Sequence, residues 1–222
     1  DPSRQKTYHT IYRNAERILR LINQLMDIRK IDKGQMSLMF REIDMVAFIQ
    51  DICNTFAGQT VNKHISLTFH HEDFDTFGLW IDPTNFDKVI LNILSNAFKF
   101  TPEGGRVDIY LKSGHSEDTE TTLSNYAEII IADTGIGIAP EEIEHIFERF
   151  YQIRNHLNNS NIGTGIGLHL TRSLVELHHG HIHAENNPEG IGSRFVIRLP
   201  MGCSHLKQEE LDNSTDNELA YT

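Results

Sequence analysis

The first third of the chain's opening hundred residues carries an apolar repeat. Tyr8, Ile11, Ala15, Ile18, Ile22 and Leu25 recur at alternating intervals of three and four, the spacing of a helical heptad seam. The pattern predicts one helix over residues 3–33. Leu19, Leu21, Met26 and Ile28 widen its apolar surface beyond the narrow stripe of a two-stranded coil. Such a helix suits a bundle whose other member lies outside this chain. Packing on the chain's own globular part is the competing reading. Lys30 and Lys33 followed by Gly34 give a natural C-terminal stop.

Beyond it the periods mix. Asp44 can cap a helix over about 44–58. Ile65, Leu67 and Phe69 alternate as a strand, and Leu79-Trp80-Ile81 makes a short second one. Asp82-Pro83 places an acid at the cap and proline in the first turn of a helix running through 84–100. Val107, Ile109 and Leu111 alternate, and Glu128–Ala132 reads as a buried strand. Pro140-Glu141-Glu142 opens a short helix. Residues 165–178 form a longer one, ended by His178-His179-Gly180. Residues 181–185 and 192–199 pair as a closing hairpin. This mixture predicts an α+β fold, a two-layer α/β sandwich with a mixed sheet covered by helices on one face and a long bundle-type helix in front. The divisions are 1–38 for the helical piece, 42–202 for the main domain and 203–222 for an acidic tail or linker. The polar stretch 113–125 reads as a hairpin loop.

Charge narrows the function. With 20 basic against 31 acidic side chains the net charge is −11, which argues against a nucleic-acid surface built on clustered Lys and Arg. The apolar runs fall short of the ~20 residues that span a bilayer. The polar N-terminus lacks the apolar stretch of a signal peptide. It also lacks Met and begins inside a helical pattern, as expected of a piece of a longer protein. Cys53 and Cys203 stand in unrelated contexts, so a reducing, cytoplasmic setting is expected.

Three ordered segments carry the chemistry. In Asn92-Ile-Leu-Ser-Asn96-Ala-Phe-Lys99-Phe100 the two asparagines are four apart and share a helix face with Phe100, while Lys99 lies on its flank. An amide oxygen from Asn96 is a fitting Mg²⁺ ligand, because it adds no charge beside an anionic triphosphate. Lys99 can neutralise a phosphate, and Phe100 offers a flat face to a base. Taken alone, the segment reads equally well as surface asparagines on an amphipathic helix. Asp133-Thr-Gly135-Ile-Gly137-Ile138 follows a buried strand. A carboxylate there is costly unless paired, and adenine's amino group is a suitable donor that guanine's carbonyl cannot replace. Gly135 and Gly137 let backbone approach a base; Asp-Thr-Gly is also a common turn. Gly163-Thr164-Gly165-Ile-Gly167-Leu168 opens a helix whose exposed N–H groups suit phosphate oxygens. The polar run Asn155–Asn161 before it reads as a lid hinged at Gly163. No P-loop is present, since the Gly-Lys-Ser/Thr ending is missing.

Together these segments resemble the motifs of sensor histidine kinases. Asn92–Phe100 resembles their N box, Asp133–Ile138 their G1 box, Phe147-Glu-Arg-Phe150 their F box and Gly163–Leu168 their G2 box. Gly190-Ile-Gly-Ser-Arg-Phe195 is similar to their closing strand. The resemblance covers about 44–200 and implies the Bergerat ATP fold, with ATP and Mg²⁺ as cofactors. It implies Mg²⁺ on Asn96 with help from Asn92, adenine on Asp133, and phosphate contact from Lys99 and the lid. Ring packing falls to Phe100. Ile138, Phe150, Gly163, Thr164, Gly165, Gly167 and Leu168 complete the nucleotide surface. Asn92, Asn96 and Lys99 form the implied catalytic set.

The first helix resembles the second helix of the family's dimerisation and phosphoacceptor hairpin. The implied partners are therefore an acceptor-histidine helix of the same or a sister chain, a homodimeric parent, and the receiver domain of a response regulator. The implied location is the cytoplasmic portion of a membrane-anchored sensor, of simple or hybrid type. One departure matters. The family's acceptor block, of type His-Glu/Asp-x-Arg-Thr-Pro, is absent: His9 is followed by Thr10-Ile11-Tyr12. Position 92 is a second discriminator. ATP-hydrolysing Bergerat relatives place a glutamate there as general base, whereas an amide cannot accept water's proton. A Bergerat hydrolase and a non-catalytic nucleotide-binding module remain the alternatives. His178, His179, His181 and His183 crowd one segment. A zinc site is conceivable, but two histidines at a helix C-terminus and two in a hairpin is the favoured account.

Overall fold

The computed structural model describes residues 2–72, 74–116, 125–153, 164–188 and 190–211. Helix α1 spans Pro2–Asp32 and ends through Gly34 N–H to Ile31 C=O and Gln35 N–H to Lys30 C=O, both at 2.8 Å. β1 (Arg41–Asp44) leads into α2 (Met45–Thr55) and α3 (Ala57–Lys63), then β2 (Ser66–His70) and β3 (Gly78–Ile81). α4 (Pro83–Phe100) follows, with β4 (Arg106–His115), β5 (Asn125–Asp133), α5 (Gly167–Leu177), β6 (His181–Asn186) and β7 (Ser193–Pro200).

A five-stranded sheet has the order β2-β4-β5-β7-β6. Only β2 runs parallel to its neighbour β4; the remaining pairs are antiparallel. Alternation on β4 sends Val107, Ile109 and Leu111 into the core, where they meet Ile49, Val89, Ile93 and Leu174 from α2, α4 and α5. The opposite face carries the other parity of each strand. There the cross-strand pairs Glu185–Arg194 (2.8 Å) and Glu128–Arg198 (2.7 Å) tie β7 to β6 and to β5. The predicted two-layer sandwich is the observed fold.

Several elements differ in detail from the sequence reading. The helix expected over 44–58 is broken at Phe56 (φ −89°, ψ −2°), which ends α2 and begins α3. Phe56 is buried on Phe98, ring centroids 5.0 Å apart, so the aromatic anchor sets the corner. Pro140–Glu142 is a single 3-10 turn, too short for a helix. α5 begins at Gly167, because Gly165 holds φ +68° and is turned against Phe150. β1 pairs antiparallel with β3 in a small separate sheet that the sequence did not announce. The segment after Cys203 folds back as far as Leu211. Phe40 N–H donates to Glu210 C=O at 2.7 Å, and Phe40 bridges to Leu211.

α1 touches the domain with its C-terminal part. Ile28 is buried, Asp27 bridges Lys88 at 2.8 Å and Asp32 bridges Arg149 at 3.0 Å. The heptad seam stays open: Tyr8, Ile11, Ile18 and Ile22 are each at least half exposed. The C-terminal part of the helix thus packs on the chain's own globular part, while the seam residues before it face outward. No described helix is long and apolar enough to cross a membrane.

Candidate functional site

α4 is the wall on which the site is built. Asp82 caps it, its Oδ1 accepting from Asn85 N–H at 3.0 Å, and Pro83 fills the first turn. Phe86, Val89, Ile90, Ile93, Leu94, Ala97 and Phe98 bury one face. That leaves Asn92, Asn96 and Lys99 half-buried along its margin, with Phe100 exposed at the end. Lys99 Nζ sits over the Phe100 ring, 4.7 Å from its centroid. Burial, and after it the charge of Arg17 on α1, pulls the Lys99 ammonium below the usual lysine value. A cation in that setting gains from an arriving anion.

α4 touches both glycine segments, and Phe150 touches the second. Asn92 Nδ2 donates to Thr171 Oγ1 on α5 at 2.8 Å. A Cβ on Gly167 would overlap Asn92 Oδ1, so the first asparagine and the start of α5 are in contact. Gly135 backs onto the end of α4, where a Cβ would stand 2.7 Å from Phe100 C=O. Phe150 N–H donates to Gly165 C=O at 2.8 Å. Thr164 Oγ1 accepts from Ile166 N–H at 3.4 Å, and Leu168 packs against the core. Gly163 and the expected lid Asn155–Asn161 lie outside the described residues.

Asp133 ends β5 and is buried, with 4% of its surface exposed. Its Oδ1 accepts Gly135 N–H at 2.7 Å and Ser193 N–H at 3.3 Å, and its Oδ2 accepts Ser193 Oγ–H at 2.5 Å. A carboxylate offers roughly four lone-pair directions. Three are taken, and the one left, on Oδ2, is the acceptor available to a ligand N–H. A donor of adenine's kind fits that remainder; a carbonyl does not. The neutral amides of Asn92 and Asn96 on one α4 face likewise suit a hard cation beside phosphates.

Ser193, Gly192, Asn186 and Thr171 were missed as site-supporting residues. Gly192 lies so close to Asp133 that a Cβ would overlap its carbonyl oxygen. Asn186 bonds both backbone groups of Ile138 at 2.8 Å. Asn186 and Ser193 are cross-strand partners at the turn end of the β6–β7 hairpin, and the groups they hold, Ile138 and Asp133, lie 48 and 60 positions back in the chain. Thr171 had a fainter signal, one helical turn beyond Gly167.

The histidine cluster behaves differently. His178 caps α5, its Nδ1 at 2.7 Å from Leu174 C=O, and its Nε2 accepts Asp82 N–H at 3.2 Å. Both ring nitrogens are used inside the protein. His181 and His183 stack at 6.0 Å on β6. Among the described residues, no group of three or more His, Cys, Asp or Glu is placed to hold a metal ion.

Residues 81–202 match the family described as histidine kinase-, DNA gyrase B-, and HSP90-like ATPase. Histidine kinase P4 of Formosa agariphila is 35% identical over 204 residues, 90% of this chain and 14% of its own length. Sensor histidine kinase TmoS of Ectopseudomonas mendocina is 36% identical over 198 residues, 89% of this chain and 19% of its own length. This chain therefore spans less than a fifth of either relative. Among solved structures, the mycobacterial sensor histidine kinase MprB superposes with a TM-score of 0.58 at 26% identity, covering 73% of this chain and 98% of that one. The carboxylate at the end of β5, the asparagine face of α4 and the glycine-opened α5 are thus found on a chain that belongs to the histidine kinase-, DNA gyrase B- and HSP90-like ATPase family, as an ATP-binding domain of the sensor histidine kinase type.

Proposed function

We propose that this domain, in its parent protein, transfers the γ-phosphoryl group of Mg·ATP to a protein histidine, from which an aspartate of a response regulator receives it. The observation that carries the reading is the bonding of Asp133, which leaves one acceptor for a base amino group. Asn96 would ligate Mg²⁺ with help from Asn92, and Lys99 would meet phosphate oxygens. Asn92 stands at the head of that face as an amide donating to Thr171. Having no basic group to take water's proton, it favours a protein nucleophile over hydrolysis. Positioning and charge neutralisation, rather than covalent help, would then carry the transfer.

Residues 1–38 would serve as the second helix of a dimerisation hairpin, its exposed Ile11, Ile18 and Ile22 seam covered in a homodimeric parent. We place the domain on the cytoplasmic side of such a sensor. The acceptor would lie on a helix that this chain does not include.

The test is to mix the 222-residue chain with a hairpin peptide carrying a His-Glu-x-Arg-Thr-Pro block and γ-labelled ATP. Acid-labile, base-stable label on the peptide is the expected result. Phosphate release without peptide labelling points to a hydrolase, and ATP binding with neither outcome points to a nucleotide-sensing module. Either of those results overturns the kinase reading.

A further inference from the structure

We propose that Asn186 is a positioning residue for the base-side loop of the nucleotide site, holding the far end of Asp133–Ile138 in its binding shape. The inference rests on the nucleotide reading above and adds a residue to it. The near end of this loop is fixed by Asp133 itself, through Gly135 N–H and Ser193. The middle has little to hold it: Ile136 is 63% exposed, and Gly137 adopts φ +72°, a left-handed conformation that only glycine takes freely.

The far end is held by one amide. Asn186 Oδ1 accepts Ile138 N–H and Asn186 Nδ2 donates to Ile138 C=O, each at 2.8 Å. This reciprocal exchange is that of a hydrogen-bonded pair in an antiparallel ladder, made by a side chain where strand pairing has ended. The reverse orientation of the amide would set N–H against N–H and carbonyl against carbonyl. Gly137 is drawn in by the same group, since a Cβ there would stand 3.1 Å from Asn186 Oδ1.

Asn186 does not hold the fold. It is exposed at the end of β6, and the Ile138 side chain packs on the core independently of the amide. What the amide fixes is the direction of the Ile138 peptide groups, and through them the path of Gly135–Gly137 past a bound base. Asn186 and Ser193, one cross-strand pair, therefore hold the two ends of one loop. A loop arranged before binding spares the ligand the ordering cost.

Because the contact is on the base side, its loss acts on the adenine moiety and is blind to phosphate count. Asn186→Ala should weaken ADP and ATP binding by a common factor of about ten, the size of two neutral hydrogen bonds, while the chain stays folded with a melting temperature lower by no more than about 2–6 °C. Asn186→Asp keeps the acceptor and shape but opposes a carboxylate to Ile138 C=O, and should bind at least as weakly as the alanine variant. Calorimetric titration of the full chain and both variants, with each nucleotide, reads this directly. Equal affinity of the folded variants and the unsubstituted chain overturns the proposal, as does a loss confined to ATP, which would assign Asn186 to the lid. If one variant is unfolded, the other decides by the same criteria. Failure of the unsubstituted chain to bind either nucleotide overturns the site reading itself, and this inference with it.

Discussion

Phe150 and Gly165 stand back to back at the two ends of the segment that precedes α5. Phe150 N–H donates to Gly165 C=O at 2.8 Å, and both residues hold left-handed backbone, φ +66° and +68°. For phenylalanine this conformation is strained. It persists because a Cβ on Gly165 would lie 2.5 Å from Phe150 C, a spacing open only to glycine. Arg149, beside them, reaches Asp32 at 3.0 Å and lies over the Phe150 ring. The base of this segment is therefore tied to the end of α1.

Gly165→Ala should break that clasp. The methyl group meets backbone rather than a movable side chain, and the left-handed φ adds about 1–2 kcal/mol of its own. We expect a stability loss of about 2–3 kcal/mol, read as a lower urea midpoint, together with faster release of ATP. A variant as stable and as retentive as the original chain would show that the contact can relax at no cost.

Asp133→Asn addresses the opposite side of the site. All three groups around the carboxylate are donors: Gly135 N–H, Ser193 N–H and Ser193 Oγ–H. An asparagine must turn an NH₂ toward one of them or toward the ligand. ATP binding should weaken by about 1.5–3 kcal/mol, the range of a hydrogen bond to a charged group, or roughly ten- to a hundred-fold in dissociation constant. Unchanged affinity by calorimetry would refute the assignment of adenine to this residue.

Local physics made much of this legible in the sequence. α4 announced itself because Asp82-Pro83 is a start signal that needs no tertiary context, and β6–β7 because alternation and a glycine-rich turn suffice for a hairpin. Phe56 misled, since a helical pattern continues through it, and only its burial against Phe98 reveals the corner. β1 was hidden for a related reason. Its four residues gain their strand character by pairing with Gly78–Ile81, far along the chain. At the site, Asn92, Asp133 and Gly167 were legible as types in order. Asn186 was not, because an asparagine at a strand end has no pattern, and its partner Ile138 lies 48 positions away. The fold back of Glu210 and Leu211 onto Phe40 was invisible likewise: a backbone bridge leaves no mark in composition.

Asp82 should prove a stability residue of more than one element. Its Oδ2 accepts from Met39 N–H at 3.1 Å and from Asn85 Nδ2 at 3.0 Å, while Oδ1 caps α4. It thereby joins the segment leaving α1 to the helix that carries the asparagines. Removing an ordinary cap costs about 1 kcal/mol. Leaving Met39 N–H without its acceptor should add about 1–2 kcal/mol more. Asp82→Ala is thus expected to lose about 2–3 kcal/mol in a urea titration, and Asp82→Asn less. A loss of no more than about 1 kcal/mol, that of an ordinary cap, would reduce Asp82 to a simple cap.

His178 gives the fold a pH dependence with a definite sign. The ring is buried beside Phe40 and Phe86. It is held neutral, with Nδ1–H given to Leu174 C=O and Nε2 accepting Asp82 N–H. Burial pulls it below its ordinary value of 6.5; a second proton would face the Asp82 N–H. In the unfolded chain the ring keeps its ordinary affinity and takes up a proton first as pH falls. Its stabilising contribution is therefore complete above about pH 6.5 and drains away as pH drops toward the folded value. Burial shifts His183 and His205 in the same direction. Exposed His145 is shifted the other way by its bond to Glu148, so its smaller contribution is present in acid and lost as pH rises. Urea midpoints measured at pH 7.5, 6.5 and 5.5 should fall toward acid. His178→Gln, which keeps a donor and an acceptor but does not titrate in this range, should flatten that fall. A variant with the full slope of the original chain would assign the acid sensitivity to His183 and His205 instead.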